Sequence, residues 1–140
     1  ISINTHLGSN FIIGGQISGQ DPALMMVYPV GNYIRASEIK PFFQLGETKY
    51  GKPILDRLIR NETSLGDAAR CALVSFDSTM KSDLTVGPPI DLVVYKKDSI
   101  QISLEEHLQF KTPFFSDLSS KWSDGLRNLF KELPKFDWEK

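Results

Sequence analysis

The stretch from Gly46 to Tyr95 constrains the fold more than any other part of the chain. It holds a glycine turn, two apolar-striped segments and, after Gly87-Pro88-Pro89, a short apolar run. From Leu65 to Met80 apolar residues recur every three or four positions, which predicts a helix. From Ile90 to Tyr95 they alternate, which predicts a strand. The succession indicates a mixed α and β architecture.

A shorter helix is predicted just before the long one. Lys49–Arg60 has helical spacing, and Asn61 is a plausible stop. Ser64 is a good N-cap for the long helix, with Asp67 three residues later as the acidic partner of a capping box. The apolar stripe expected to be buried by the long helix consists of Leu65, Ala68, Ala69, Ala72, Leu73, Phe76 and Met80.

The first third of the chain predicts an antiparallel meander. The apolar runs Asn10–Ile17, Ala23–Val30 and Tyr33–Ser37 are separated by turn residues. Gly31-Asn32 is expected to be a two-residue hairpin turn. We therefore expect three neighbouring strands here.

The last third predicts a hairpin and a helix. Ile100–Leu104 alternates apolar and polar residues, so we expect it to pair with Ile90–Tyr95 across a polar turn at 96–99. The last helix is expected to begin near Pro113 and to end before Pro134. Its apolar stripe consists of Leu118, Trp122, Leu126, Leu129, Phe130 and Leu133.

Grouped strands and grouped helices favour an α+β fold with antiparallel sheets flanked by helices, in a single domain over residues 1–140. A helix pair would cover one face of a sheet, and no predicted element covers the other. The chain begins with Ile1 rather than Met. We therefore expect the full protein to extend further, with these residues as its C-terminal portion.

Composition argues against several classes of function. The formal net charge of -1 gives no electrostatic reason to bind nucleic acid or an anionic membrane. The longest apolar runs fall short of the roughly 20 residues that a membrane span needs. One cysteine, Cys71, lies in an apolar helical pattern, which favours an inert buried thiol and a cytoplasmic setting.

Gly46 to Lys52 fits the G-x-x-x-x-G-K pattern of a phosphate loop. Pro53 follows, where the pattern requires the hydroxyl that binds magnesium. The segment also follows an antiparallel meander rather than the first strand of a βαβ unit. A tight turn into a helix is the favoured interpretation, and a nucleotide-binding domain is the minority one.

Other catalytic constellations are incomplete. His6 and His107 are the only histidines, so three histidines cannot bind a metal, and no cofactor is implied. No G-x-S-x-G elbow supplies a serine nucleophile. Five polar residues cluster where the long helix is expected to fray, and local capping is their default role: Asp77, Ser78, Thr79, Ser82 and Asp83.

The central stretch resembles the ancestral beta subunit (Anbu) family of bacterial proteasome-like peptidases. GETKYGKPILDR and SLGDAARCALVSFDSTMKSDLTVGPPIDLVVY carry the resemblance, as do the opening NFIIGGQISGQDPALMMVYPVGNYI and the closing KWSDGLRNLF and ELP. The resemblance extends over nearly the whole chain.

This resemblance implies the N-terminal-nucleophile hydrolase fold, a four-layer sandwich of two antiparallel sheets between two helical layers. The family's nucleophile is the first residue of the mature subunit, whose own amine helps to activate the hydroxyl. Ile1 has no hydroxyl, and Ser2 and Thr5 are not terminal. The nucleophile is therefore expected outside this chain.

Two segments match parts that support the site in proteasome beta subunits. The turn Gly46-Glu47-Thr48 corresponds to a glycine-serine turn beside the nucleophile. Asp83 corresponds to an aspartate that orients the terminal residue through a serine three positions on. Gly46 and Val86 stand where serines are expected, so two hydroxyls are missing. Glu47 or Thr48 is a candidate substitute.

Two functions follow from the resemblance. The first is a threonine- or serine-type peptidase subunit that cleaves a peptide or an unfolded protein. The second is a catalytically weak or inactive subunit that serves assembly, which the missing serines favour. Both imply self-association into a ring-like or helical homo-oligomer. The stripe containing Trp122 and Leu126 is either a contact surface or, more commonly for such a stripe, core.

Overall fold

A computed structural model describes residues 8–139, which begin with the expected meander. Strands β1 (Phe11–Gly15), β2 (Ala23–Val27) and β3 (Tyr33–Arg35) form an antiparallel sheet in the order β1-β2-β3. His6 lies outside the described residues.

The loop between β2 and β3 differs from the two-residue turn expected at Gly31-Asn32. Tyr28 and Asn32 still pair, with the N–H of Tyr28 bonded to the Asn32 carbonyl at 2.9 Å. The loop therefore consists of Pro29, Val30 and Gly31. Proline has no N–H for a ladder, so β2 ends before it. Gly31 has a φ of +89°, which suits the left-handed last position of a three-residue loop.

Two helices follow. Helix α1 (Lys52–Leu58) is shorter than the predicted 49–60, because Pro53 stands at the start of the helix and residues 48–51 form a turn before it. Helix α2 (Leu65–Met80) begins as predicted. The Ser64 hydroxyl oxygen accepts the Asp67 N–H at 3.1 Å.

Helix α2 continues to Met80, where its predicted stripe ends, so Asp77, Ser78 and Thr79 lie within the helix rather than at a frayed end, while Ser82 and Asp83 follow it. Asp77 is buried and accepts hydrogen bonds from Lys81, the C-cap residue of α2, and from Ser119 of the last helix, residues 113–132. Thr79 is buried too, whereas Leu65 and Phe76 of the predicted stripe are about half exposed. The buried face of α2 therefore includes polar residues that have partners.

A hairpin and a long helix complete the chain. Strand β4 (Ile90–Tyr95) matches the prediction, and β5 (Ile102–Leu108) pairs with it antiparallel. Strand β5 is shifted and longer than the predicted 100–104. Ile100 has a φ of +49°, which a β-branched residue rarely adopts, so it belongs to the turn. Beyond Leu104 the polar residues stay in the ladder opposite β4.

Helix α3 (Pro113–Glu132) has the expected bounds, and a 3₁₀ turn at Asp137–Glu139 follows. Its stripe is only partly core. Phe115 is buried and Leu118 packs beside it, but the later residues Leu126, Leu129 and Phe130 are 47%, 57% and 74% exposed.

Helix α2 packs against α1, α3 and β4. On one side Leu73 joins Ile90, Leu108 and Phe115 in an apolar cluster. On the other side Cys71 joins Leu55 and Ile59. Burial raises the pKa of the Cys71 thiol, as expected of an inert cysteine. The α+β class with antiparallel sheets and helices is confirmed.

The two sheets are connected by Gln16. Its amide oxygen accepts the Tyr95 hydroxyl at 2.9 Å and the Asp98 N–H at 2.7 Å, and its Nε2 donates to Asp98 Oδ1 at 2.6 Å. Lys97 and Asp21 add an ion pair at 2.6 Å.

The meander carries large apolar side chains that the described residues leave exposed. Phe11, Ile13 and Tyr33 are 58%, 49% and 56% exposed. Phe11 and Ile13 lie opposite Val27 and Met25 in the register, so these side chains share one face of the sheet. Among residues 8–139, no helix is both long enough and apolar enough to cross a bilayer.

Candidate functional site

Asp83 lies just beyond the C-terminus of α2. Its N–H donates to the Thr79 carbonyl at 2.8 Å, which fixes the chain as it leaves the helix. Its Oδ1 accepts both the N–H of Thr85 at 2.8 Å and the Thr85 hydroxyl at 2.7 Å. An aspartate that binds the N–H two residues on forms an Asx-turn, so the carboxylate is held in place locally.

Three nearby groups favour the ionised form of Asp83. The Thr85 hydroxyl contributes most, followed by the Thr85 N–H, and the charge of Lys49 adds to them, so the pKa of the carboxyl is lowered. At neutral pH Asp83 is therefore a carboxylate. It can accept hydrogen bonds and attract a cation, but it is not a proton donor.

The turn at Gly46-Glu47-Thr48 leads into α1. Gly46 has a φ of +81°, which glycine adopts without strain. Glu47 Oε1 accepts the N–H of Lys49 at 2.8 Å, and the Thr48 carbonyl accepts the N–H of Lys52 at 3.0 Å. The Glu47 side chain is thus occupied in holding the turn.

A cavity of about 450 Å³ connects the turn with the segment after Asp83. Gly46 and Glu47 line it on one side and Val86 on the other, and Ser75 and Thr79 of α2 contribute to its wall. The structure therefore brings the two predicted segments together. Thr48 and Asp83 do not line the cavity.

Thr85 was missed in the sequence, where only the positions of the two expected serines were considered. Its hydroxyl lies on Asp83 immediately before Val86, which lacks one. The D-x-T spacing of an Asx-turn is the signal that identifies this contact. The sequence also provided no indication that Ser75 and Thr79 line the cavity or that Gly51 packs against them.

The phosphate-loop alternative gains no support from the geometry. Lys52 Nζ lies 2.5 Å from Asp56 Oδ2, so the lysine of the pattern forms an ion pair within α1. Gly51 packs against Ser75 rather than opening towards a ligand. The segment is a turn into a helix.

His107, the histidine within residues 8–139, makes its contacts on the β4–β5 hairpin rather than at the candidate cavity. His107 Nδ1 lies 2.6 Å from Asp91 Oδ1 across the β4–β5 hairpin, and its Nε2 lies 3.2 Å from Gln109. Both His107 and Asp91 are exposed. Within residues 8–139 no group of three or more His, Cys, Asp or Glu side chains is arranged to hold a metal ion.

The chain is similar to several solved structures. It is 51% identical to Anbu from Hyphomicrobium sp. strain MC1, with a TM-score of 0.88, over 91% of this chain and 55% of that one. It is 48% identical to the protein in the helical assembly of the Anbu complex from Pseudomonas aeruginosa, with a TM-score of 0.90, over 96% of this chain and 56% of that one.

Anbu from Yersinia bercovieri is 41% identical, with a TM-score of 0.88, over 91% of this chain and 55% of that one. The chain thus spans a little over half the length of these relatives. No family model and no curated protein matches it.

Proposed function

The chain belongs to the ancestral beta subunit (Anbu) family of proteasome-like proteins, and from this premise we propose that it is part of a peptidase subunit with an N-terminal nucleophile. The observation that carries the proposal is the cavity at which the Gly46-Glu47 turn meets the segment after Asp83. The nucleophile, a terminal threonine or serine, is assigned to the part of the relatives' length that this chain does not span.

In the proposed reaction the terminal hydroxyl attacks a peptide carbonyl while the terminal amine accepts its proton. The C–N bond of the substrate's peptide group breaks, and the amine of the departing peptide fragment takes up that proton. Water then hydrolyses the ester formed on the terminal hydroxyl and releases the acyl group. Asp83 would hold the terminal residue through its charge and hydrogen bonds. The Thr85 hydroxyl, which donates to Asp83, would help to fix that carboxylate in the absence of a serine at position 86.

The surface area supports a larger assembly around these residues. A compact monomer of 15.8 kDa exposes about 7300 Å² on the usual scaling. This chain exposes 10951 Å², including the apolar face of β1–β3. The four-layer sandwich proposed for the family would cover that face with a second sheet, and these residues would be the C-terminal portion of the sandwich.

A nucleophile trap tests the proposal on the full-length protein. A peptide vinyl sulfone should form one covalent adduct on the first residue of the mature subunit, detected by mass spectrometry. Asp83→Asn should slow labelling by about tenfold or more, because it loosens the positioned terminal residue.

Asp124→Asn is the matched control, since Asp124 is an exposed carboxylate on α3 that pairs with Arg127 at 3.2 Å. It should label at the wild-type rate. Absence of both an adduct and peptide cleavage in the wild type would refute the peptidase proposal.

A second candidate is a weak or inactive subunit that serves assembly. Gly46 and Val86 lack the expected hydroxyls, and a 48% identical relative has been solved as a helical assembly. Leu126 and Phe130 lie one helical turn apart on α3 and are both exposed, so they could face a neighbouring copy. A peptide or unfolded-protein substrate is proposed only for the first candidate, the peptidase subunit.

Sedimentation of Leu126→Gln/Phe130→Gln tests this candidate. Because both side chains are exposed, the substitutions should leave the fold intact and shift the oligomer towards smaller species. Leu84→Gln is the control, since Leu84 is 100% exposed and lies outside α3. Trp122 is less suitable because it is partly buried beside Val74. A monomer before and after substitution would exclude assembly through this surface.

The proposal places the subunit in the cytoplasm and gives it no nucleic-acid or membrane partner. The buried, unpaired thiol of Cys71 and the net charge of -1 support this assignment.

A further inference from the structure

Both segments of the candidate site are attached to the same buried stretch of α2, from Ser75 to Thr79. On one side, the residue that ends the turn, Gly51, packs on this stretch. On the other side, the Thr79 carbonyl accepts the N–H of Asp83 at 2.8 Å and the N–H of Ser82 at 2.9 Å. The distance between the turn and Asp83 therefore depends on the contacts that both make with Ser75 and Thr79.

Gly51 is needed for space rather than for backbone conformation. Its φ of -89° and ψ of -32° are accessible to any L-residue. A methyl group there would overlap the Ser75 hydroxyl, and it would lie 3.0 Å from the Ser75 carbonyl oxygen and 3.1 Å from Thr79 Oγ1. The Ser75 hydroxyl can rotate, but the Ser75 carbonyl oxygen belongs to the backbone of α2 and Thr79 Oγ1 is hydrogen-bonded to it, so rotation of Ser75 alone does not make room for the methyl group.

The other half of the contact is a pair of small hydroxyl residues. Ser75 and Thr79 are 5% and 4% exposed. The Thr79 hydroxyl donates to the Ser75 carbonyl at 2.9 Å, which satisfies it inside the helix. Both residues also line the cavity shared by Gly46 and Val86. The residues that touch Gly51 thus belong to the wall of the candidate site.

We propose that Gly51 and Ser75 are positioning residues, whose close contact fixes the spacing between the Gly46–Thr48 turn and Asp83. Their importance for catalysis rests on the proposed peptidase function. The geometric coupling does not, because it follows from the contacts alone. If a side chain is added at Gly51, either the turn or the end of α2 must move, and both movements change that spacing.

Ordinary helix packing is the competing explanation, and it predicts a loss of stability with no specific effect on the site. Gly66 provides the comparison. It lies in the first turn of α2, and a methyl group there meets nothing within 4 Å. Gly66→Ala should therefore leave both segments unchanged.

The test compares Gly51→Ala, Ser75→Ala, the double variant and Gly66→Ala in the full-length protein. Hydrogen–deuterium exchange of the segments 46–52 and 80–87 reports the coupling, and kcat and KM for a peptide substrate report its consequence. Gly51→Ala should speed exchange several-fold in at least one segment. It should lower kcat about tenfold or more with KM nearly unchanged.

Removing the Ser75 hydroxyl relieves the worst overlap but leaves the contacts with the Ser75 carbonyl oxygen and Thr79 Oγ1, so Ser75→Ala should restore part of both losses in the double variant. Unchanged exchange in both segments of a folded Gly51→Ala protein would overturn the coupling. Altered exchange without any wild-type turnover would retain the coupling and reject the peptidase function. If Gly51→Ala does not fold, Thr79→Val replaces it: the variant keeps the shape of the side chain but loses the bond to the Ser75 carbonyl, and unchanged exchange in both segments would again overturn the coupling.

Discussion

Thr85 donates both its backbone N–H and its hydroxyl to the same oxygen of Asp83, at 2.8 and 2.7 Å. One threonine thereby fixes the carboxylate and favours its ionised form. The consequence is a charge next to the candidate cavity that does not depend on a serine at position 86.

We expect Thr85→Val to raise the pKa of Asp83 towards its ordinary value of 3.8, because the hydroxyl is the largest cause of the lowering. The variant keeps the shape and the backbone bond. Side-chain carboxyl NMR across an acid titration measures the shift. Thr85→Ser keeps the hydroxyl and should titrate like the wild type, and equal titration of all three proteins would assign the lowering to other groups.

Asp67, in the first turn of α2, should make the free energy of unfolding depend on pH. Its pKa is lowered by the Ser64 hydroxyl and then by Arg70. A lowered carboxyl pKa stabilises the fold above the unfolded value of 3.8, and this contribution is lost as the pH falls through the folded value. Wild type and Asp67→Asn should therefore differ in urea unfolding at pH 6 to 7, and the difference should shrink below about pH 4.

Asp56→Asn is the control for that experiment, because Asp56 also forms an ion pair within a helix but does not cap one. Its effect should be smaller than that of Asp67→Asn at neutral pH. A difference between wild type and Asp67→Asn that stayed constant down to pH 2.5 would contradict the assignment.

Leu73→Ala should destabilise the fold by about 2–5 kcal/mol, because it leaves a cavity among packed side chains. Leu73 is 1% exposed and lies in the cluster with Ile90, Leu108 and Phe115. Leu84→Ala makes the same chemical change at a residue that is 100% exposed, and it should shift stability by less than about 0.5 kcal/mol. Similar midpoints in urea for the two variants would argue against this core.

Asp77→Ala should cost about 2–3 kcal/mol, because it leaves Lys81 and Ser119 without the acceptor that joins α2 to α3. The Asp77 side chain is 8% exposed. Asp117→Ala removes a carboxylate with the same i,i+4 lysine spacing, but Asp117 and Lys121 are both largely exposed. It should cost less than about 0.5 kcal/mol by chemical denaturation. Equal costs would indicate that burial of Asp77 has no energetic role.

Local signals predicted the elements well, and tertiary contacts explain the differences. Ser64 and Asp67 marked the start of α2 because a cap uses only neighbouring residues. The polar run Glu105-Glu106-His107 gave no strand signal, yet it pairs with β4 because the partner strand extends alongside it. Such pairing depends on residues that lie far away in sequence.

The residues of the candidate site also divide into those that the sequence indicated and those that only the tertiary contacts identify. The resemblance directed attention to Gly46 and Asp83, while the role of Thr85 depends on an Asx-turn at the end of a helix. The close approach of Gly51 to Ser75 joins residues 24 positions apart, and neither residue type is unusual for a helix or a turn. Only the packing of α1 on α2 reveals why Gly51 has no side chain.

What covers the apolar face that Phe11, Ile13 and Tyr33 expose decides whether the melting temperature depends on protein concentration. A cover supplied by the same polypeptide makes the melting temperature independent of protein concentration. A cover supplied by another copy couples folding to association by mass action, so the melting temperature rises with subunit concentration. A dilution series of the full-length protein therefore distinguishes a subunit that folds before it assembles from one that folds by assembling.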